Sequence, residues 1–320
     1  MIYVLDTGMA SLNNPRPRVS VCVMTYNQKD YIGQCLQSLV DQVVNFDFEI
    51  IVGDDCSQDG TAGVVRDFSN RYPKLIHPII HEKNIGVFCN YWSVHLAARG
   101  EYIAHMDGDD YALPGKLVEQ VEFLDENITC VMCGHDMTLV RDGSVIKTKR
   151  AIYPEVSTIK SFLLYGNFVP HSSSMYRSAF RLTPNQFNEF MIDFQLHVAR
   201  VGNDYIGYIN KPLGVYRIVN DGMVSGYYNS VKSFNSNVAA IDQIESVVGS
   251  VALIDRALFK LCFVWIKNLI VARRRDLAEE VFNNKSISRF SFWRRLFLRS
   301  VLFFSPIFAI AFRIKRKFRF

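Results

Sequence analysis

Glu101-Tyr-Ile-Ala-His-Met-Asp-Gly-Asp-Asp110 runs from a short apolar, β-like stretch straight into three carboxylates. Carboxylates packed this densely repel one another, and they stay ionised together only when a cation or a donor-rich ligand neutralises them. All-oxygen ligands favour Mg²⁺ or Mn²⁺ over zinc, and such ions usually sit on one or two protein carboxylates plus substrate phosphates. The segment therefore predicts a metal-bridged diphosphate at a strand end. Alone, an Asp-Gly-Asp-Asp tetrad reads equally well as an acidic turn in water, so its neighbours decide.

Upstream, Val19-Ser-Val-Cys-Val-Met-Thr-Tyr-Asn27 is a β-branched run that breaks at a polar turn. Tyr31, Ile32, Cys35, Leu36, Leu39 and Val40 then recur at helical spacing. Phe48-Glu-Ile-Ile-Val-Gly-Asp-Asp55 is a second strand ending in two carboxylates, and Cys56-Ser-Gln-Asp-Gly-Thr61 turns into a second helix reaching about Tyr72. A third strand is expected near residues 75–81. After Asn84-Ile-Gly86, a helix through Trp92 and Leu96 is expected to stop at Arg99-Gly100, with the glycine in a left-handed C-cap conformation. The result is a β-α-β-α half-domain. In open sheets of this kind ligands lie beyond the carboxyl ends of the strands, which is where Thr25 to Asn27, Asp54, Asp55 and Asp107 to Asp110 fall.

These residues make the chain similar to family 2 glycosyltransferases of the α/β, Rossmann-like GT-A fold. The likeness rests on Val-Ser-Val-Cys-Val-Met-Thr-Tyr-Asn, Glu-Ile-Ile-Val-Gly-Asp-Asp-Cys-Ser-Gln-Asp-Gly-Thr, Asn-Ile-Gly and Gly-Glu-Tyr-Ile-Ala-His-Met-Asp-Gly-Asp-Asp, in the family's order and spacing, and covers residues from about 19 to 225. It implies a nucleotide site built from Thr25, Tyr26, Asn27, Asp54, Asp55, Asn84 and Asp107, with Asp54 and Asp55 not ranked. The family's Asp-x-Asp element falls on Asp107 and Asp109, Asp107 near the ribose and Asp109 on the metal, with Asp110 able to share either duty. A nucleoside diphosphate is a poor leaving group until its developing charge is neutralised, and a bound metal does this without a proton transfer.

The same resemblance places an acceptor side in the second half. Phe190-Met-Ile-Asp-Phe-Gln-Leu-His-Val-Ala-Arg200 reads as a helix start with Leu196 and Ala199 inward and Asp193 in its first turn. Similar enzymes carry a Glu-Asp pair here whose aspartate deprotonates the acceptor hydroxyl. Ile192 replaces the Glu, so only Asp193 carries over, as the base of an inverting displacement. Without the upstream motifs it would read as a helix N-terminal aspartate favoured by the macrodipole. Asp204-Tyr-Ile-Gly-Tyr-Ile-Asn-Lys-Pro-Leu-Gly-Val-Tyr-Arg217 reads as a strand, a Pro turn and a second strand. A histidine that can complete the metal or diphosphate shell commonly follows at this point in the family; Val219 stands there instead, so the resemblance supplies no third metal ligand here, and it leaves Arg217, which reads equally as an ordinary strand arginine, and the 220–225 loop as candidate diphosphate contacts. His171, in a Ser-rich turn, is an acceptor contact at most and otherwise a hydrogen-bonded structural group. Cys130 and Cys133 have redox or zinc spacing but lie in a strand-like run, where alternation puts them on opposite faces as buried thiols.

At 320 residues and 49% hydrophobic, the chain can bury a full α/β core. Seven cysteines without framework spacing, and an N-terminus without a signal-peptide pattern, point to the cytoplasm. Residues 289–320 hold 9 Lys/Arg and no Asp/Glu, so against a net charge of +5 the preceding 288 residues sum to −4. The uncharged, Phe-rich run of residues 300–312 falls short of the about 20 apolar residues that cross a bilayer. Flanked by Arg294-Arg295 and Lys315-Arg-Lys317, and interrupted at Pro306, it suits a helix resting on anionic lipid at the cytoplasmic face of an inner membrane. The competing reading is a helix packed on the catalytic domain or on a second subunit of a homodimer. No nucleic-acid motif accompanies the charge.

Four regions follow: a lead-in (1–18), the GT-A domain (19–228), a helical extension (229–288) and the basic aromatic tail (289–320). The expected activity is metal-dependent, inverting transfer of a sugar, with a UDP-sugar as the expected donor, to a hydroxyl of a glycan or lipid-linked glycan, as in surface polysaccharide or lipopolysaccharide assembly. The alternatives are an inactive donor-binding scaffold at the membrane, suggested by the missing Glu and His, and a sugar-nucleotide pyrophosphorylase, whose Gly-rich basic loop Thr-Tyr-Asn-Gln-Lys lacks.

Overall fold

The computed structural model describes residues 16–147, 152–187, 193–219 and 231–303. In its first half β1 (Val19–Thr25), β2 (Phe48–Asp54), β3 (Ile76–Ile80) and β4 (Tyr102–Asp107) alternate with α1 (Lys29–Val40), α2 (Thr61–Arg71) and α3 (Gly86–Ala97). Then come β5 (Tyr111–Ala112), α4 (Lys116–Glu126), β6 (Cys130–Arg141), β7 (Ser144–Lys147), β8 (Val156–Thr158) and α5 (Lys160–Tyr165). A 3-10 turn (His171–Ser173), β9 (Met175–Arg177), α6 (Asp193–Val201) and β10 (Tyr205–Arg217) complete the α/β part.

The strands form one sheet in the order β3-β2-β1-β4-β9-β6-β10-β5, with β7 on β6 and β8 on β10. Chain order runs outward from β1 to β3 and then jumps back to β4 on β1's other side. The reversal of strand order falls between β1 and β4, and in open sheets of this kind ligands lie at the carboxyl ends of the strands beside such a reversal. Register brings the polar ends together there: Thr25 pairs with Asp54, and Met24 with Asp107.

Alternation in the sequence becomes two cores. On β1, Val19, Val21 and Val23 point to the layer of α1, α2 and α4, where Ile32, Leu36, Val65 and Leu117 are buried, while Cys22 points to the layer that holds Val94 of α3. The second layer is thickened by α7 (Val231–Val248), α8 (Val251–Val271), α9 (Arg275–Phe282) and α10 (Phe292–Phe303). Phe234 meets Trp265 edge-on at 5.6 Å, and Leu298, Val301 and Leu302 close the same core. Tail residues 304–320, with Pro306 and the last basic cluster, lie outside the described residues.

Three local expectations are corrected. The C-cap of α3 is Ala98 in an extended conformation, and Gly100 has no positive φ. Gly100 is small for a different reason: a Cβ there would sit 2.4 Å from the Ser20 backbone N and 2.6 Å from the Tyr102 carbonyl. The segment up to Arg217 is not two strands about a Pro turn but one continuous β10, whose pairing with β6 slips on either side of Pro212. Proline lacks an N–H for the ladder, and the sheet absorbs it as an irregularity rather than a turn. Finally, Cys130 and Cys133 do not lie on opposite faces. A register shift between Cys130 and Met132 breaks the alternation, and both thiols are buried in one core layer.

Candidate active site

The end of β1 is locked before any ligand arrives. Asn27 has a φ of 51°, a left-handed turn that asparagine tolerates well. Its N–H donates to Ser57 Oγ at 2.8 Å, and its Oδ1 accepts from Gln58 N–H at 2.8 Å. Asp54 and Asp55 are both buried. Asp54 accepts from the Ser57 N–H and hydroxyl, and Asp55 from the N–H groups of Ile85 and Gly86 at the start of α3. Asn84 Nδ2 donates to the Asp55 carbonyl at 3.3 Å. Thr25 is buried, whereas Tyr26 is 47% exposed and presents an open ring at the crevice edge. Thr25, Asn27, Asp54, Asp55 and Asn84 thus form one connected wall.

The acidic cluster sits next to it at the end of β4. Burial pushes the Asp107 carboxyl up, but His105 Nε2 at 3.1 Å and the Ser172 hydroxyl at 3.1 Å outweigh it and hold Asp107 below the ordinary carboxylate range. Burial, then the charge of Asp107, pushes Asp109 up to about 6. Asp110 is pushed well up by burial and then by both neighbours; its Oδ1 accepts from the Arg217 N–H at 3.0 Å, and its shielded Oδ2 has no partner among the described residues. Arg217 also donates to the Asp109 carbonyl and to Gln34, with its guanidinium 4.7 Å from the Tyr111 ring centroid. One arginine does not neutralise three carboxylates. The orphaned oxygen and the raised pKa values fit a hard dication that one or two carboxylates would share with phosphates; among the described residues no group of three or more His, Cys, Asp or Glu is placed to hold a metal ion by itself.

Across the crevice, Asp107 and Asp193 line one cavity of about 440 Å³, with Asp136, Tyr153, Asn167 and His171 among its walls. Asp193 opens α6. Removal from water pushes its carboxyl up to about 6, against the Phe194 N–H and the Asn167 amide, which favour the charged form. His171 lines the same cavity, its ring centroid 3.7 Å from that of His105 and 5.7 Å from that of His197. The 220–225 loop and Ile192 lie outside the described residues.

Sequence reasoning missed the groups behind these walls. His95 Nε2 and His105 Nδ1 lie 3.0 Å apart, and His95 Nδ1 meets the Tyr176 hydroxyl at 2.9 Å. Lys116, fully buried, is pushed down to about 7 by burial; its Nζ lies 2.8 Å from His135 Nε2 and donates to the Ser172 carbonyl at 3.0 Å. Lys116 thus steadies the turn whose serine holds Asp107. Asn167 and His197 were also missed, although Asp193 and His197 are four residues apart on a helix and so share a face.

The structure thus places a crevice at the reversal point of a Rossmann-like sheet, with an acidic strand end on one side and a carboxylate facing it. Residues 20–183 match the profile described as Glycosyl transferase family 2, and the chain belongs to that family. An uncharacterized protein of Mycobacterium bovis is 33% identical over 222 residues, 68% of this chain and 63% of that protein, so the chain spans less than two thirds of the relative's length. The proposed teichuronic acid biosynthesis glycosyltransferase TuaG of Bacillus subtilis is 37% identical over 136 residues, 42% of this chain and 52% of TuaG. Among solved structures, S. aureus TarS in complex with UDP-GlcNAc superposes with a TM-score of 0.67 at 20% identity, covering 92% of this chain and 88% of that one. The mannosyltransferase PcManGT from Pyrobaculum calidifontis, in complex with GDP-Man and Mn²⁺, superposes with a TM-score of 0.57 at 16% identity, covering 94% and 87%. These likenesses establish the GT-A fold.

Proposed function

We propose that the chain transfers a sugar from a nucleoside diphosphate donor, UDP-linked, to a hydroxyl of a glycan or lipid-linked glycan, with inversion and with a divalent metal. The observation that carries this reading is the shared cavity: Asp107, at the strand end that would face the diphosphate, and Asp193, suited to a base, line the same walls. The wall of Thr25, Tyr26, Asn27, Asp54, Asp55 and Asn84 would take the nucleotide. Asp107 and Asp109 would hold Mn²⁺ or Mg²⁺, with Asp110 and Arg217 beside them; such an ion, when bound, offsets the charge on the leaving diphosphate. Asp193 would remove the proton from the acceptor hydroxyl, and His171 would line the acceptor path. The relatives' names support polysaccharide synthesis, and the UDP-GlcNAc of the TarS complex supports a UDP donor.

In this reading residues 19–228 are the catalytic unit, 229–288 a helical extension and 289–320 a tail that rests on the cytoplasmic face of a membrane. Among the described residues no helix is long and apolar enough to cross one. On α10, Phe292, Trp293, Leu296, Phe297 and Phe303 are exposed beside Arg295 and Arg299, a face suited to an anionic interface.

Melting temperatures measured with Mn²⁺ and a panel of UDP- and GDP-sugars, followed by UDP or GDP release, test the assignment, since tight binding to the folded state raises the melting point. A donor that stabilises and is slowly hydrolysed is expected. Stabilisation with no release would leave a scaffold, and neither effect would reject the donor site.

A further inference from the structure

Among the described residues, Asp193 is held by neutral donors. Its Oδ1 accepts from the Phe194 N–H at 2.7 Å and its Oδ2 from Asn167 Nδ2 at 2.8 Å. Asn167 is delivered from another part of the chain. Gly166, at φ 78°, ends α5 in a conformation open to glycine, and the buried Phe168 and Val169 fix the segment that follows. The other end of the Asn167 amide, Oδ1, faces His197 Nδ1 at 3.1 Å. Because Nδ2 is spent on a carboxylate, Oδ1 is an acceptor, so the proton of His197 resides on Nδ1. Nε2 is then a bare lone pair, and it is shielded without a partner among the described residues. Burial keeps this imidazole neutral, pushing it down to about 3. The Asp193 carboxylate and the His197 N–H thus hold the Asn167 amide from its two ends, and the wrong flip would set a carbonyl oxygen against Asp193.

We propose that Asn167, oriented by His197, is the positioning residue of Asp193, fixing the carboxylate in the cavity without placing a cation beside it. A cation there would stabilise the ionised form strongly and weaken the base; a neutral amide aims the carboxylate and lowers its basicity less than a full charge would. The inference rests on the reading of Asp193 as the base.

The test uses the full chain labelled with ¹³C-aspartate, and needs no substrate for its first readout. The Asp193 carboxyl is titrated by NMR in wild type, Asn167→Ala and Asn167→Asp, with melting temperature as a check on folding. Asn167→Asp puts a like charge against Asp193 and is expected to raise its midpoint by at least about one pH unit. The second readout is nucleotide release, with Mn²⁺, from the donor most readily hydrolysed. Asn167→Ala is expected to lower kcat about 100-fold, the cost of a small misplacement of a reacting group, with UDP affinity by calorimetry within about twofold. His197→Ala, which frees the amide to flip, is expected to give part of that loss. An unmoved midpoint in Asn167→Asp, or an unchanged kcat in a folded Asn167→Ala, would overturn the proposal. Asp193→Asn separates the two levels: if it turns over normally the base assignment fails, and if it is inactive while Asn167→Ala is normal only the positioning role fails.

Discussion

The Asp55 carboxylate accepts from the Gly86 N–H at 3.0 Å, and with its other oxygen from Ile85 N–H at 2.7 Å, so the end of β2 is tied to the first turn of α3. Backbone N–H groups at a helix start have no partner within the helix and carry partial positive charge. Asp55 fills that anion site itself, which makes it a builder of the crevice wall as well as a lining residue.

Asp55→Ala is therefore expected to lower unfolding stability by about 2 kcal/mol, the scale of lost charge-assisted bonds at a helix start, and to weaken UDP binding. Urea denaturation measures the first effect and calorimetry the second. Asp55→Asn, which keeps one acceptor, should lose less of both. Unchanged stability in the alanine variant would reduce Asp55 to a simple ligand contact.

Asp193→Asn should leave UDP affinity nearly intact and reduce turnover by about 10²–10⁴-fold, the usual contribution of a general base. The base acts in its ionised form. With its pKa pushed up to about 6, turnover at saturating Mn²⁺ should rise with pH through that value, falling about tenfold per pH unit below it, and level off above. A flat profile from pH 5 to 8, about as wide a range as the argument needs, would remove Asp193 from this role.

Much of this frame was legible beforehand because it rests on local periodicity. Alternation along Val19, Val21 and Val23, helical spacing from Ile32 to Leu39, and carboxylates after apolar runs each need only neighbouring residues to be recognised. What could not be read depends on contacts between distant segments. Gly100 is small because the Ser20 backbone passes beside it, not because a helix ends there. Pro212 sits inside a strand because β6 accommodates the slip. The Asn167–Asp193 bond joins positions 26 residues apart, and Lys116 meets Ser172 across 56. No spacing rule announces such pairs.

Asp109→Ala should remove the gain in UDP affinity that Mn²⁺ provides. The physical reason is charge: Asp107 already has His105 and Ser172 as donors, whereas Asp109 is a half-buried carboxylate pushed up by desolvation and then by Asp107, a repulsion that a dication would relieve. Calorimetric titration of UDP with and without Mn²⁺ checks this. Metal-dependent affinity equal to wild type would place the ion elsewhere.

The tail offers a direct optical test. Of the three tryptophans, Trp92 and Trp265 are 4% and 2% exposed, while Trp293 on α10 is 75% exposed, so a change in the emission at long wavelength reports on that helix. Its neighbours Phe292 and Leu296 are open, and Arg295 and Arg299 stand beside them. Vesicles containing phosphatidylglycerol should shift the emission to the blue, and neutral phosphatidylcholine vesicles should not. Added salt should reverse the binding, since each basic side chain near an anionic surface contributes about 1 kcal/mol that is screened within a Debye length. Replacing Phe292 and Leu296 by serine, which keeps the reporter, should weaken co-sedimentation with the anionic vesicles. A blue shift that grows with protein concentration and ignores lipid would instead assign this face to a second copy of the chain, and emission already blue in dilute protein would mean that the chain itself covers it. Either result removes the membrane from the reading while leaving the catalytic crevice untouched.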